Sequence, residues 1–219
     1  LSERSATPSR FLVVLDADST LLQDEVIELL AVHAGSEERV AAITARAMRG
    51  ELDFGESLRE RVATLAGVSE SIFAEVSAGV RVTPGAAQLV AGVHAAGGRV
   101  GVVSGGFHEI LDPVAGTLGL DFVRANRLCC SSGRLTGAVT GPVIDAAAKA
   151  KALREWAAEC GVPPQRTIAV GDGANDLEMM AIAALSVAFN AKPLVRERAD
   201  LIVDGLDLSQ LLPLLGLRG

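Results

Sequence analysis

Three short apolar runs in this chain each stop abruptly on a polar cluster, and that pattern restricts the fold more than any other feature. Phe11-Leu12-Val13-Val14-Leu15 stops at Asp16, Arg99-Val100-Gly101-Val102-Val103 at Ser104, and Thr167-Ile168-Ala169-Val170 at Gly171-Asp172. β-Branched runs without polar alternation are the mark of strands buried on both faces. Weaker runs at Leu185–Phe189 and Leu201–Val203 extend the series. Helical stretches separate the later runs: residues 86–96 follow Pro84 and end at Gly97-Gly98, and residues 146–160 end at Gly161. The alternation predicts an α/β fold, a Rossmann-like parallel sheet wrapped by helices.

About 80 residues lie between the first and second runs, too many for one crossover helix. They read as four helices. The first, 25–33, stops at Gly35, and the second, capped by Ser36, runs to Met48 and stops at Gly50. Asp53-Phe54-Gly55-Glu56 forms a capping box for the third, which carries Leu58, Val62 and Leu65 on one face. Ser69 caps the fourth, 70–77. Residues 22–81 are therefore expected to form a helical-bundle cap domain inserted after the first strand, with 1–21 and 82–219 as the α/β core. Two short links, Leu21-Leu22 and 81–83, would let the cap open and close. Residues 122–144, with a turn at Ser131-Ser132-Gly133, read as a β-hairpin.

Composition excludes several classes of partner. A net charge of −7 and an aromatic content of 3% argue against nucleic acid and anionic membranes. The run at residues 11–15 is too short for a signal-peptide core or a membrane span. Cys129, Cys130 and Cys160 are odd in number and lack CxxC spacing, so they read as buried small hydrophobes in a reducing, cytoplasmic compartment.

Open parallel sheets bind ligands beyond the carboxyl ends of their strands. Three clusters meet there: Asp16-Ala17-Asp18-Ser19-Thr20, Ser104-Gly105-Gly106, and Gly171-Asp172-Gly173-Ala174-Asn175-Asp176. Four carboxylates at one edge cannot all stay ionised without compensation. Hard oxygen ligands in that setting suit Mg²⁺.

In that order, the clusters resemble the motifs of the haloacid dehalogenase-type phosphatases: DADST, then Ser-Gly-Gly-Phe at 104–107, a lysine matched by Lys149, and Gly-Asp-Gly-Ala-Asn-Asp at 171–176. Glu25 in QDEV and RAMRGELDFGESLRERV at 46–62 resemble the insert of the branch that acts on phosphoserine. The resemblance runs from Phe11 to about Leu215. It implies the fold of that family (HAD-like) and hydrolysis of O-phospho-L-serine to L-serine and phosphate, the last step of serine biosynthesis, through an aspartyl-phosphate. Asp16 would be the nucleophile, and Asp18 the acid and then the base. The Asp16 carboxylate, the Asp18 backbone carbonyl and the Asp172 carboxylate would hold Mg²⁺, with Asp176 behind them on a metal-bound water.

The remaining roles are also those the resemblance implies. Lys149, Ser104 and the Gly105 amide would bind the phosphoryl group, and Asn175, capping the helix after the last motif, would reach the substrate. A zwitterionic substrate needs an anion for its ammonium and a cation for its carboxylate, and Glu25 and Arg61 fit that pair. Met48 and Phe54 would wall off water. His33, His94 and His108 receive no role. The expected partner is a small molecule, phosphoserine, with no nucleic acid or membrane, and the enzyme would be a monomer or homodimer.

Overall fold

The computed structural model describes residues 9–217; residues 1–8 and 218–219, the outer ends of the expected core, lie outside the described residues. β1 (Leu12–Leu15) is wholly buried. Successive strand side chains point to opposite faces. Here Val13 and Leu15 enter one apolar cluster, while Leu12 and Val14 enter another that holds Trp156, Met179 and Val195. Burial on both faces is why the run carries no polar alternation.

Four helices follow: α1 (Val26–Ala34), α2 (Glu37–Met48), α3 (Phe54–Ala63) and α4 (Ile72–Gly79). The capping box of α3 forms as expected. Asp53 accepts from the Glu56 amide at 2.7 Å, and the Glu56 carboxylate accepts from the Asp53 amide at 2.9 Å. Leu58, Val62 and Leu65 are buried, as their spacing requires. Ser36 precedes α2, but its hydroxyl pairs with Thr64 at 3.1 Å instead of capping the helix. The fourth helix starts later than expected, after Ser71 and not Ser69.

The chain continues through α5 (Ala86–Ala95), β2 (Arg99–Phe107), α6 (His108–Leu118), β3 (Phe122–Ser131), β4 (Arg134–Thr140), α7 (Ala146–Glu159) and β5 (Thr167–Gly171). It ends with α8 (Leu177–Ile182), β6 (Leu185–Phe189), α9 (Pro193–Arg196), β7 (Leu201–Val203) and α10 (Leu211–Leu214). One sheet results, in the order β4-β3-β2-β1-β5-β6-β7. All neighbours are parallel except β4, which returns antiparallel along β3. The hairpin turns at Ser132 and Gly133, both at positive φ, as a tight two-residue turn requires. β1 lies between β2 and β5, with Leu15 opposite both Val102 and Val170. A crevice opens where connections leave a strand in opposite directions.

Two expectations change. β2 does not stop at Ser104. It continues to Phe107 with a register shift between Val103 and Phe107, so the Ser-Gly-Gly segment is irregular strand and not a turn. The cysteines are not buried either: Cys130 is exposed and the other two are half-buried. Cys129 and Cys130 lie on the part of β3 beyond its pairing with β2, which ends at Asn126.

The segments flanking α1–α4 pair with each other. Gln23 donates to the Arg81 carbonyl and Thr83 to that of Leu21, each at 2.9 Å. A third attachment was not expected from the two links. Gly67 donates to Leu135 and Leu135 to Val68, both at 2.8 Å, and Glu70 donates to Gly133 at 3.0 Å. These bonds stitch the α3–α4 connection to the hairpin and explain the late start of α4. Among the described residues, no helix is long and apolar enough to cross a membrane.

Candidate active site

Asp16 closes β1, and its amide prolongs the ladder by donating to Val170 at 2.9 Å. Its Oδ1 accepts from the Ala17 amide at 2.7 Å and from Lys149 Nζ at 2.6 Å. Lys149 stands near the start of α7, whose cap Asp145 accepts from the Ala148 amide at 2.9 Å. A lysine so near a helix start faces the positive end of the dipole, yet this one is completely buried and also donates to Asp176 Oδ1 at 2.7 Å. Burial alone would pull its pKa down. The carboxylates of Asp16 and Asp176 outweigh that, and the net shift is upward.

Asp176 spends its other oxygen on the amides of Asp172 and Gly173, at 3.2 and 3.1 Å. A Cβ on Gly171 would come 2.4 Å from its carboxyl carbon, so only glycine lets the carboxylate fold back so closely. These bonds, and not an Asn175 cap, order the start of the last motif.

Asp16, Asp172 and Asp176 can each offer one oxygen within 4.8 Å of the others. Burial first, and then repulsion by Asp176, raises the Asp16 pKa. Burial pushes Asp172 to about 6 despite the opposing charge of Lys192. Three buried carboxylates face one buried ammonium, so the cluster is short of positive charge. With both Asp176 oxygens already bonded, Asp16 Oδ2 and the Asp172 carboxylate are the donors left over. Hard, anionic and close together, they fit a small divalent cation.

Asp18 and Ser19 follow in one wide turn, residues 17–21. Asp18 Oδ1 accepts weakly from the Val26 amide at 3.4 Å, and Ser19 Oγ donates to Glu25 Oε1 at 3.0 Å. Burial, then the charge of Glu25, lifts the Asp18 carboxyl to about 7. A cavity of about 110 Å³ opens here. Asp16, Asp18 and Asp172 line one part of it; Glu25, Phe54 and Arg61 line another. Arg61 donates to the Ser57 carbonyl at 3.3 Å. A Cβ on Gly105 would meet the Phe54 ring at 2.7 Å, so the ring sits directly on that backbone. Ser104 is wholly buried and accepts from the Gly106 amide at 2.8 Å.

The haloacid dehalogenase-like hydrolase family matches residues 13–181, which takes in every cluster just described. The chain belongs to that family. A phosphoserine phosphatase of Streptomyces coelicolor is 56% identical over 94% of this chain and 50% of its own length. One from Streptococcus thermophilus is 49% identical over 93% of this chain and 95% of its own. A solved structure described as a phospho-aspartyl intermediate analogue of phosphoserine phosphatase superposes with a TM-score of 0.88 at 39% identity, covering 94% of this chain and 99% of that one. The chain spans about half the length of the Streptomyces relative.

Within this hydrolase-family architecture, most of the sequence-derived site converges. Asp16, Asp18, Glu25, Phe54, Arg61, Gly105, Asp172 and Asn175 line the cavity, with Lys149, Ser104 and Asp176 packed close by. Met48 does not reach it. It ends α2 with 83% of its surface exposed and is absent from the cavity wall, because the helix terminates there and the chain turns at Gly50, φ 76°. Ile27, Leu58 and Lys192, which the sequence did not assign to the site, also line the cavity, as does Gly106 of the Ser-Gly-Gly cluster. No local signal in the sequence marks Lys192; it arrives because β6 neighbours β5, which brings the turn after β6 to the same sheet edge.

Proposed function

We propose that the chain hydrolyses O-phospho-L-serine to L-serine and inorganic phosphate, the last step of serine biosynthesis, with Mg²⁺ as cofactor. The observation that carries this reading is the presence of Glu25 and Arg61, opposite charges, in the wall of the cavity that holds Asp16, Asp18 and Asp172. Glu25 would take the substrate ammonium and Arg61 its carboxylate, leaving the phosphoryl group toward Asp16.

Asp16 then attacks phosphorus with a carboxylate oxygen, while Lys149 holds the side chain in place. The P–O bond to serine breaks as Asp18, with a carboxyl pKa of about 7, gives its proton to the leaving oxygen. Asp18 next takes a proton from water as that water attacks the aspartyl-phosphate, and phosphate leaves Asp16. Lys149 stabilises negative charge on Asp16 and on the phosphoryl oxygens. The Ser104 hydroxyl and the Gly105 amide bind those oxygens, and Asn175 reaches them from the other rim. Mg²⁺, held by the carboxylates of Asp16 and Asp172 and the Asp18 carbonyl with Asp176 behind them, would supply positive charge against the repulsion between carboxylate and phosphate, about 4 kcal/mol per charge pair at 4 Å.

Residues 22–81 act in this reading as the cap, and Phe54 excludes water above Gly105. The enzyme works in the cytoplasm on a small molecule, as a monomer or homodimer, apart from nucleic acid and membrane. Phosphate release from phosphoserine, phosphothreonine, phosphohomoserine and phosphoglycolate, with and without Mg²⁺, tests it. Phosphoserine should show the highest kcat/KM, and only with Mg²⁺. Equal rates on phosphoglycolate, which lacks the ammonium, would overturn the reading.

A further inference from the structure

Lys192 is the cavity-lining group left without a task. Five carboxylates surround the site: Asp16, Asp18, Glu25, Asp172 and Asp176. Lys149 is sealed between two of them, and Arg61 sits on α3 beside Glu25. A phosphate dianion entering from solvent thus meets mostly negative charge. Of the cations that line the cavity among the described residues, only Arg61 and Lys192 are present, and Lys192 alone comes from the core side.

Its position is built. After β6 the chain turns through Asn190, a non-glycine residue at φ 45° whose amide donates to Val203 at 2.8 Å. Left-handed backbone is uncommon outside glycine, and here it brings the next residues to the end of β5. The Lys192 amide then donates to the carbonyl of Asp172 itself at 3.0 Å, and Pro193 fixes the first turn of α9. The backbone of Lys192 is pinned to a site residue, while its side chain stays 69% exposed with Nζ 3.8 Å from Asp172 Oδ2. At that distance the ammonium is near the carboxylate without being locked to it. The next cation along, Arg196, is already bound to Asp204. This chain uses lysine sparingly, three against 17 arginines. Lysine is the compact, mobile point charge of the two, suited to following an anion and not to clamping it.

We propose that Lys192 is the phosphate-recruiting residue of this site: its ammonium meets the incoming phosphoryl group at the mouth, guides it past Asp172 toward Gly105, and meets the product phosphate on its way out. This rests on the hydrolase reading above, but it concerns any phosphate and not the serine part of the substrate. Lys192 acts in binding and release and takes no part in bond making.

Inorganic phosphate is therefore the probe. Calorimetric titration at saturating Mg²⁺ should show phosphate binding to Lys192→Met weakened about tenfold, the low end of what charge focusing gives in a cleft. The kcat/KM for phosphoserine should fall by a similar factor and lose most of its dependence on ionic strength, while kcat changes less than about twofold. Lys192→Arg, which restores the charge, should recover most of the loss. Unchanged phosphate affinity in Lys192→Met, or no recovery in Lys192→Arg, would overturn the proposal. So would a deficit seen only below saturating Mg²⁺, because Lys192 would then act on the metal site. The substrate reading fails separately, if wild-type protein binds phosphate in this assay yet releases none from phosphoserine.

Discussion

The two halves of the site are held in opposite ways. On the sheet side, Asp16, Lys149 and Asp176 form a sealed triangle: Lys149 bonds both acids, and Asp176 is saturated by two further amides. On the helical side, Glu25 and Arg61 each have one polar anchor, the Ser19 hydroxyl and the Ser57 carbonyl, and both remain partly exposed. In the proposed mechanism the nucleophile and its lysine are fixed by redundant contacts, whereas Asp18 has one weak bond. Groups that receive and release a whole molecule are fixed by one. On the proposed function, chemistry and substrate choice would be separable here.

The strongest way to break that contrast is at the sheet side. Asp16→Asn removes the proposed nucleophile while keeping its shape, and kcat on any phosphomonoester should fall by about a thousandfold or more in a phosphate-release assay. Lys149→Met leaves two buried carboxylates facing each other. It should lower the unfolding free energy at pH 7 by about 3–5 kcal/mol in a urea melt, the cost of breaking a buried pair from one side. The deficit should narrow as pH falls, because the stranded carboxylates can then take up protons.

On the helical side the effects should be smaller and selective. Glu25→Gln should raise KM for phosphoserine about tenfold, near 1.4 kcal/mol, with little change for phosphoglycolate. An equal loss on both esters would show that Glu25 belongs with the sealed half after all. Met48→Ala, at an exposed helix end, should shift stability by less than about 0.5 kcal/mol and leave kcat/KM nearly unchanged. A clear drop in kcat/KM would restore the water-excluding role that the sequence suggested.

What could be read from the sequence follows the same division. Burial on both faces leaves a plain signature, so the strands carrying Asp16, Ser104 and Asp172 were visible, and with them the sheet edge where ligands go. The capping box at Asp53 and the apolar face of α3 were equally local signals. Three features needed the folded chain. β2 runs on through Ser104–Phe107 because neighbouring strands, not local preference, decide where a strand stops. Met48 has the same apolar character inside or outside a cavity, and only the end of α2 decides which. Lys192 reaches the site through the Asn190 turn, and nothing in an isolated Asn-Ala-Lys-Pro says where that turn aims.

The third attachment of the helical insert has a mechanical consequence. Leu22 pairs with Val82 at the root of the insert, and Gly67–Glu70 is hydrogen-bonded to the β3–β4 hairpin. The insert also packs on α6 through α4, so any opening would part that packing first and would turn most easily about the line joining the two hydrogen-bonded places. On the proposed opening, the insert would swing like a gate on two pivots and not lift away like a detached cover. Residues near that axis would barely shift, and those far from it would sweep the widest arc.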